Sequence, residues 1–442
     1  MSNKVVMLPA PGLDTEVMPV RGRVVKSKWS RDLLTFLMVF GPGLIVMVAD
    51  NDAGAVSTYS QAGAQYGTHL LWIVLLLLPV TYFIQEMVVR LGIATGKGHA
   101  AMIYQRFGKW WGLFSLIDLE IVNFLTLVTE FAAIDLALNK LGVDPRIGVP
   151  LVAAGLMVIV LSGSYRRWER TVVFLCVLDL VWFAIAWTLR PPVAQIVRSS
   201  FVPSMPPGGL TPELMFIVVA IVGTTIAPWQ LFFQQSCIAD KRLRFADVKW
   251  ARLDTFLGAC ITITVACCMM IAGNASRAHG FTFTDPAQMG ADIGTFAGGF
   301  FRNAILLLMI NAAVLGTTAI SLSSAWAYGE VRRWPHSLQL PVRKAPGFYI
   351  VYLLCVAAAA GLVLIPGAPL QLIILGVQVL AGVMLPSAII FLQLLLNDKE
   401  LLDEHSNKPW NNWVNWTIII VLFALSVILA AQVAAPKLFP VS

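Results

Sequence analysis

Two aspartates stand where an apolar helix should be crossing the middle of a bilayer. The stretch Gly41 to Gly67 reads GPGLIVMVADNDAGAVSTYSQAGAQYG, and Asp50 and Asp52 interrupt its apolar run. A carboxylate at that depth costs on the order of 2.5–3.5 kcal/mol even on lenient insertion scales, so it needs a compensating role. Asp52-Ala53-Gly54-Ala55 supplies small residues and a glycine, after which the sequence is helix-compatible again. Irregular backbone survives at membrane depth only where it is buried in protein or lines a cavity. Charge plus a break in one helix is the pattern of a transporter ion site built on a discontinuous helix. The plainer alternative is a kinked helix whose carboxylates a neighbouring cation neutralises; the segment itself contains no Lys or Arg.

The rest of the chain agrees with a membrane setting. Of 442 residues, 58% are hydrophobic and 12% charged, which excludes an ordinary soluble protein. Runs of about 20 apolar residues are the unit of a spanning helix. They predict eleven spans at 35–65, 69–94, 111–140, 148–165, 171–189, 213–239, 252–273, 295–328, 348–366, 369–396 and 412–432. Assigned alternately to the two sides, the loops and tails carry 23 Lys and Arg on one side and seven on the other. That bias predicts a cytoplasmic N-terminus and an outside C-terminus, in a cell membrane such as the bacterial inner membrane. Residues 1–34 read as a cytoplasmic tail without a secretory signal, 35–432 as the transmembrane domain and 433–442 as a second tail. The formal charge of +7 follows the loops rather than one face, so no nucleic-acid partner is expected. Six cysteines without CxxC spacing read as reduced, packed thiols.

Spans one to five (35–189) and six to ten (213–396) form two halves of opposite orientation, with 412–432 an added helix. Each half opens with an interrupted helix, at Asp52–Ala55 and at Gly223–Gln230 (GTTIAPWQ). Pro228 removes a backbone donor and Gly223 loosens the preceding turn. Interrupted spans in matching positions point to a central binding site between them.

Gly41-Pro42-Gly43, the aspartate and glycine of Asp52-Ala53-Gly54-Ala55, Gln61 to Gly67, Leu70-Leu71-Trp72, Leu91 to Lys97 and Glu130-Phe131 together resemble the NRAMP divalent-metal transporters. The likeness runs from about residue 35 to 395. It implies an all-α polytopic membrane protein of the LeuT-type fold, eleven helices in a five-plus-five inverted repeat, with metal bound between broken helices one and six. Several positions depart from the family pattern. Its Asp-Pro-Gly-Asn motif has Ala53 and Ala55 here, and its Met-Pro-His motif reads Ala227-Pro228-Trp229. A second histidine falls at Gln234, an aspartate of span three at Leu127, and the ninth span lacks arginines. This combination resembles the NRAMP-related magnesium transporters.

The chemistry of these changes points the same way. Methionine sulfur suits polarisable transition metals, and its loss leaves oxygen donors suited to hard cations. Mg²⁺ gives up water reluctantly and is held by one or two carboxylates while keeping several waters. Alanine at 55 and 227 removes bulk as well as ligands, enough for a partly hydrated ion. Asp52 is the expected anionic anchor. Asp50 either adds charge to the cavity or sits in a structural hydrogen bond. Asn51 and Thr224 are candidates for the ion's water shell, Ala49 and Thr224 for carbonyls freed by the breaks, and Gln378 for a polar contact from span ten. Ala227 joins this set by position, while Gly54, Ala55, Trp229 and Gln230 shape the cavity, Trp229 filling space and limiting access. Glu130 is a residue of the family's acidic pathway that, without an acid at Leu127, reads as structural. Glu86 and Arg90, one turn apart, read as an ion pair. The five histidines read as loop or span-end residues.

The expected function is uptake of Mg²⁺, with Mn²⁺ accepted, by alternating access without proton coupling. No cofactor is expected, the metal being cargo; the bilayer is the partner, and no oligomer is required. The nearest rival is a proton-coupled Mn²⁺/Fe²⁺ importer, and a more distant one an organic-solute transporter of the same fold. No Ser-His-Asp set, HExxH or phosphate loop suggests an enzyme.

Overall fold

The computed structural model describes residues 28–365 and 367–434, so most of the N-terminal tail and residues 435–442 lie outside the described residues. Helix is the only regular structure in them. Residues 1–38 and 39–442 are separate units; what is described of the first belongs to the helix Lys28–Val39.

Nine described helices are long and apolar enough to cross a membrane, ten if 32–39 and 42–49 are taken as one span. The expected fourth span is the apolar helix Pro145–Leu161, which at 17 residues falls below spanning length by that measure. Prolines open many of the helices, including Pro42–Ala49, Pro145–Leu161, Pro212–Thr225, Pro228–Lys241 and Pro346–Val363. Proline suits the first turn because its missing N–H would have no intrahelical partner there. Span three, Lys109–Leu141, stops at Gly142 in the left-handed region, with φ 78°, which glycine adopts without a Cβ penalty.

Both expected interruptions are present, with different limits. The first lies at Asp50–Asp52, between Pro42–Ala49 and Ala53–Tyr66, so Ala53, Gly54 and Ala55 form a helical turn instead of the gap. The second lies at Ile226–Ala227, and Gly223 is still helical. The helix leading into the first break begins at Pro42, because Gly41 at φ 137° cannot continue the helix before it. A third interruption was not expected: span five loosens at Asp179–Leu180, between Tyr165–Leu178 and Val181–Thr188.

The broken spans are held by continuous ones. Both halves of span one lie against Val248–Ala278, the seventh span, and Pro228–Lys241 lies against Leu71–Thr95, the second. These three half-helices therefore each lie against a continuous span of the opposite repeat. Glycines permit the closest approach: a Cβ on Gly63 would strike the Met270 carbonyl, and one on Gly273 the Ser60 carbonyl. Small residues let backbones meet where lipid gives no hydrophobic drive to helix association.

Candidate functional site

At the first break, helical hydrogen bonding is diverted rather than lost. The Ala53 N–H, which would close a turn onto Ala49, donates to Glu130 Oε2 at 3.1 Å. That leaves the Ala49 carbonyl without its helical donor. Asp52 is extended, with ψ −175°, and its Oδ1 accepts the Ala55 N–H at 2.9 Å as the N-cap of the second half-helix. At the second break the same result comes from chemistry: Pro228 has no N–H to give the Thr224 carbonyl. The helix N-termini at Ala53 and Pro228 bring partial positive charge to the two breaks.

Side chains connect the two breaks. Gln85 donates from Nε2 to Gln230 Oε1 at 2.8 Å, and Gln230 donates from its own Nε2 to Asp50 Oδ1. Asn51 donates to the Thr262 carbonyl at 3.3 Å, and Thr262 Oγ1 donates to the Met47 carbonyl. Tyr59 and Thr225 share a hydrogen bond of 2.6 Å across the breaks. Asp52 and Glu130 converge on Gly316 of span eight, where a Cβ would sit 2.8 Å from Glu130 Cδ and 2.9 Å from Asp52 Cβ. The Gln378 amide lies over Gly54, which has room for it only because it lacks a Cβ.

Asp50, Asn51, Asp52, Glu130, Thr224, Gln230 and Gln378 are all buried. Several of their polar atoms have no partner: Asp50 Oδ2, Asn51 Oδ1, Glu130 Oε1, Thr224 Oγ1 and Gln378 Nε2. Buried polar atoms are normally satisfied, so an unpartnered group of them at two helix breaks is suited to a ligand and its water. Ala55, Ala227 and Trp229 are buried at the same breaks. Trp229 packs edge-on to Phe233 at 6.2 Å, and its carbonyl accepts from Ser323 Oγ at 3.2 Å. Gln234 is turned to Thr255, at 2.9 Å.

Sequence reasoning missed several residues here. Gln85 is the remaining polar link in the chain to Asp50; a glutamine inside Leu71–Thr95 was the available signal. Asp254 accepts the N–H groups of Gly41 and Gly43 at 3.2 and 2.7 Å and so caps the first half-helix. An acid inside an expected span marked it too. His99, expected in a loop or at a span end, opens the short helix His99–Phe107, and its ring is fully buried and bonded to Gln235 at 2.9 Å. Burial pushes its imidazole down to about 4, so it is neutral at ordinary pH. Glu86 does pair with Arg90, at 3.2 Å, and also with Arg252, at 2.6 Å.

Known proteins resemble this chain in sequence and in fold. A family model described as natural resistance-associated macrophage protein-like (Nramp) matches residues 43–432. A Staphylococcus aureus protein named divalent metal cation transporter MntH is 28% identical over 424 residues, covering 90% of this chain and 91% of that one. Among solved structures, a manganese transporter of Eremococcus coleocola superposes with a TM-score of 0.75 at 20% identity, covering 93% of this chain and 90% of that one. MhsT in complex with L-phenylalanine gives 0.54 at 14% identity, with 87% and 98% covered, which places the chain in the LeuT-type fold.

Proposed function

The chain belongs to the Nramp family, and from that premise we propose that it is a multi-pass membrane transporter whose preferred divalent cargo is Mg²⁺. The observation that carries this reading is the set of unpartnered buried oxygens at the first break, beside Asp52. They are carboxylate and amide oxygens, hard donors of the kind Mg²⁺ prefers. Position 227, where the family pattern has a thioether, is an alanine at the second break. In this reading Asp52 anchors the ion, with Asp50, Asn51, Thr224, Gln378 and the Ala49 carbonyl meeting it or its waters. Ala55 and Ala227 are small enough to leave room for that hydration shell, and Gly54 admits the Gln378 amide beside it. Mn²⁺, which also takes oxygen ligands, is a second cargo, in keeping with the manganese transporter it resembles.

Transport runs without proton coupling. A relay needs titratable partners inside the membrane. Glu130 faces Asp52, the cargo's own anchor, across Gly316; beyond that pair Leu127, one turn away, is a fully buried apolar residue, and one oxygen of Glu130 is committed to the Ala53 N–H. Trp229 and Gln234 stand where the family has imidazoles. Inward movement is driven by the membrane potential, worth about 4.6 kcal/mol per 100 mV for a doubly charged ion, twice the roughly 2.3 per charge. The basic-loop bias orients the N-terminus to the cytoplasm.

Proteoliposomes loaded with a pH dye test both claims, using Mg²⁺, Mn²⁺, Ca²⁺ and Cd²⁺ in turn. Mg²⁺ uptake that follows voltage, with a flat pH signal, is expected. Exclusion of Mg²⁺ while Mn²⁺ enters with protons would establish the ordinary coupled importer instead.

A further inference from the structure

A cavity of about 440 Å³ lies away from the breaks, where the second, seventh and eleventh spans meet near their basic-loop ends. Tyr82, Glu86, Arg90, Arg252, Lys408 and Trp410 are among its walls. We propose that it binds the headgroup of an anionic phospholipid, with the phosphate against Arg90, Arg252 and Lys408 and the apolar part against the aromatic wall.

The charges leave an excess of cations. Glu86 serves two guanidinium groups, accepting from Arg252 Nη2 at 2.6 Å and Nε at 3.0 Å, and from Arg90 Nη2 at 3.2 Å. Glu404, the other acid of the wall, is 3.6 Å from His405 Nε2. Lys408 has no carboxylate within ion-pair distance among the described residues. Three permanent cations, Arg90, Arg252 and Lys408, face two carboxylates.

Arg90 gives the site its fixed point. Its side chain is only 9% exposed, yet its Nε has no partner. The guanidinium is held by the His405 carbonyl at 3.3 Å and Asn407 Oδ1 at 2.8 Å, so little of it need be ordered when an anion arrives. A buried, immobilised guanidinium with a free donor suits a phosphate oxygen.

The other wall selects an amphiphile over a soluble anion. Phe83 meets Trp410 edge-on at 6.1 Å, and Tyr82 meets Phe256 at 5.6 Å. Trp410 remains 54% exposed at the start of the eleventh span, the level at which tryptophans sit in the headgroup region. Basic pockets between spans on the cytoplasmic side are suited to anionic lipid headgroups. This inference does not depend on which metal the transporter carries.

The test uses the full chain, purified and stripped of lipid, with native mass spectrometry and thermal unfolding as readouts. Phosphatidylglycerol, phosphatidylcholine and inorganic phosphate are added separately to the wild type, Lys408→Gln and Lys408→Glu. Lys408 has no ion-pair partner to lose, so both variants should unfold at the wild-type temperature without lipid. Phosphatidylglycerol should bind the wild type and raise that temperature, bind Lys408→Gln about five-fold more weakly, and lose its preference over phosphatidylcholine in Lys408→Glu. Equal effects of the two lipids would overturn the proposal, as would a shift reproduced by phosphate alone. So would undiminished phosphatidylglycerol affinity in Lys408→Glu.

Discussion

Asp52 caps a helix and, on the proposed function, anchors the cargo, and one substitution separates the two. As an N-cap it accepts the Ala55 N–H at 2.9 Å; as an anchor it supplies a charge. Asn caps a helix about as well as Asp, so Asp52→Asn should cost only a few tenths of a kcal/mol in stability, against about 1 for Asp52→Ala. The charge is worth much more. Two unit charges 4 Å apart interact by about 4 kcal/mol at an effective dielectric of 20, hence about 8 for a dication, before desolvation. If only about a quarter of that survives, the 2 kcal/mol remaining is a roughly thirty-fold loss in affinity. The measurement is Mg²⁺ uptake well below saturation, in proteoliposomes matched for protein content, beside a thermal melt. A normal melt with uptake reduced thirty-fold or more is expected. A normal melt with uptake within three-fold of wild type would refute the anchor.

Three further outcomes follow from the same geometry. Ala55→Asn with Ala227→Met should lower Mg²⁺ flux and raise Cd²⁺ binding, by adding a sulfur donor and filling space at two buried positions; unchanged Mg²⁺ transport with no Cd²⁺ gain in a folded protein would refute the cavity reading. Gly54→Ala should push the Gln378 amide aside and reduce Mg²⁺ uptake to the level of Gln378→Ala, with no added loss in the double variant; full additivity in that cycle would mean the two residues act separately. Gly316→Ala should cost about 1–3 kcal/mol of stability and impair uptake, because its methyl group enters the space held by Asp52 and Glu130; wild-type melting and uptake would show that the two acids are free to move apart.

What could be read from the chain was local. Carboxylates and a glycine inside an apolar run, and Pro228 in another, marked both breaks because proline and charge act on their own turn. Their limits were not legible. The turn at Ala53 is helical because Glu130, 77 residues away, takes its N–H and Asp52 caps it, and neither partner is visible from spacing. The same holds for Gln85 and Gln230, 145 residues apart, and for Asp254, which caps a helix more than 200 residues before it. The loosening at Asp179 had a signal, an acid in span five; its buried partner Asn311, at 2.8 Å, comes from span eight. An acid in a span says that a partner exists, while topology decides which one.

The reciprocal contact of Gly63 with Met270 and of Gly273 with Ser60 has a consequence for how this chain tolerates mutational drift. A seam closed by side chains can absorb change, since a larger residue on one helix is offset by a smaller one on its neighbour. A seam closed by main-chain carbonyls has nothing to exchange. The two glycines therefore act as a gauge block, fixing the separation of two axes whatever happens on their lipid-facing sides. Asn51, in the break just before the Gly63 helix, donates to the carbonyl of Thr262 on the Gly273 helix. Residues elsewhere on the pair can be replaced over generations while the dimensions of the break stay constant, and a methyl group at either glycine alters them at once.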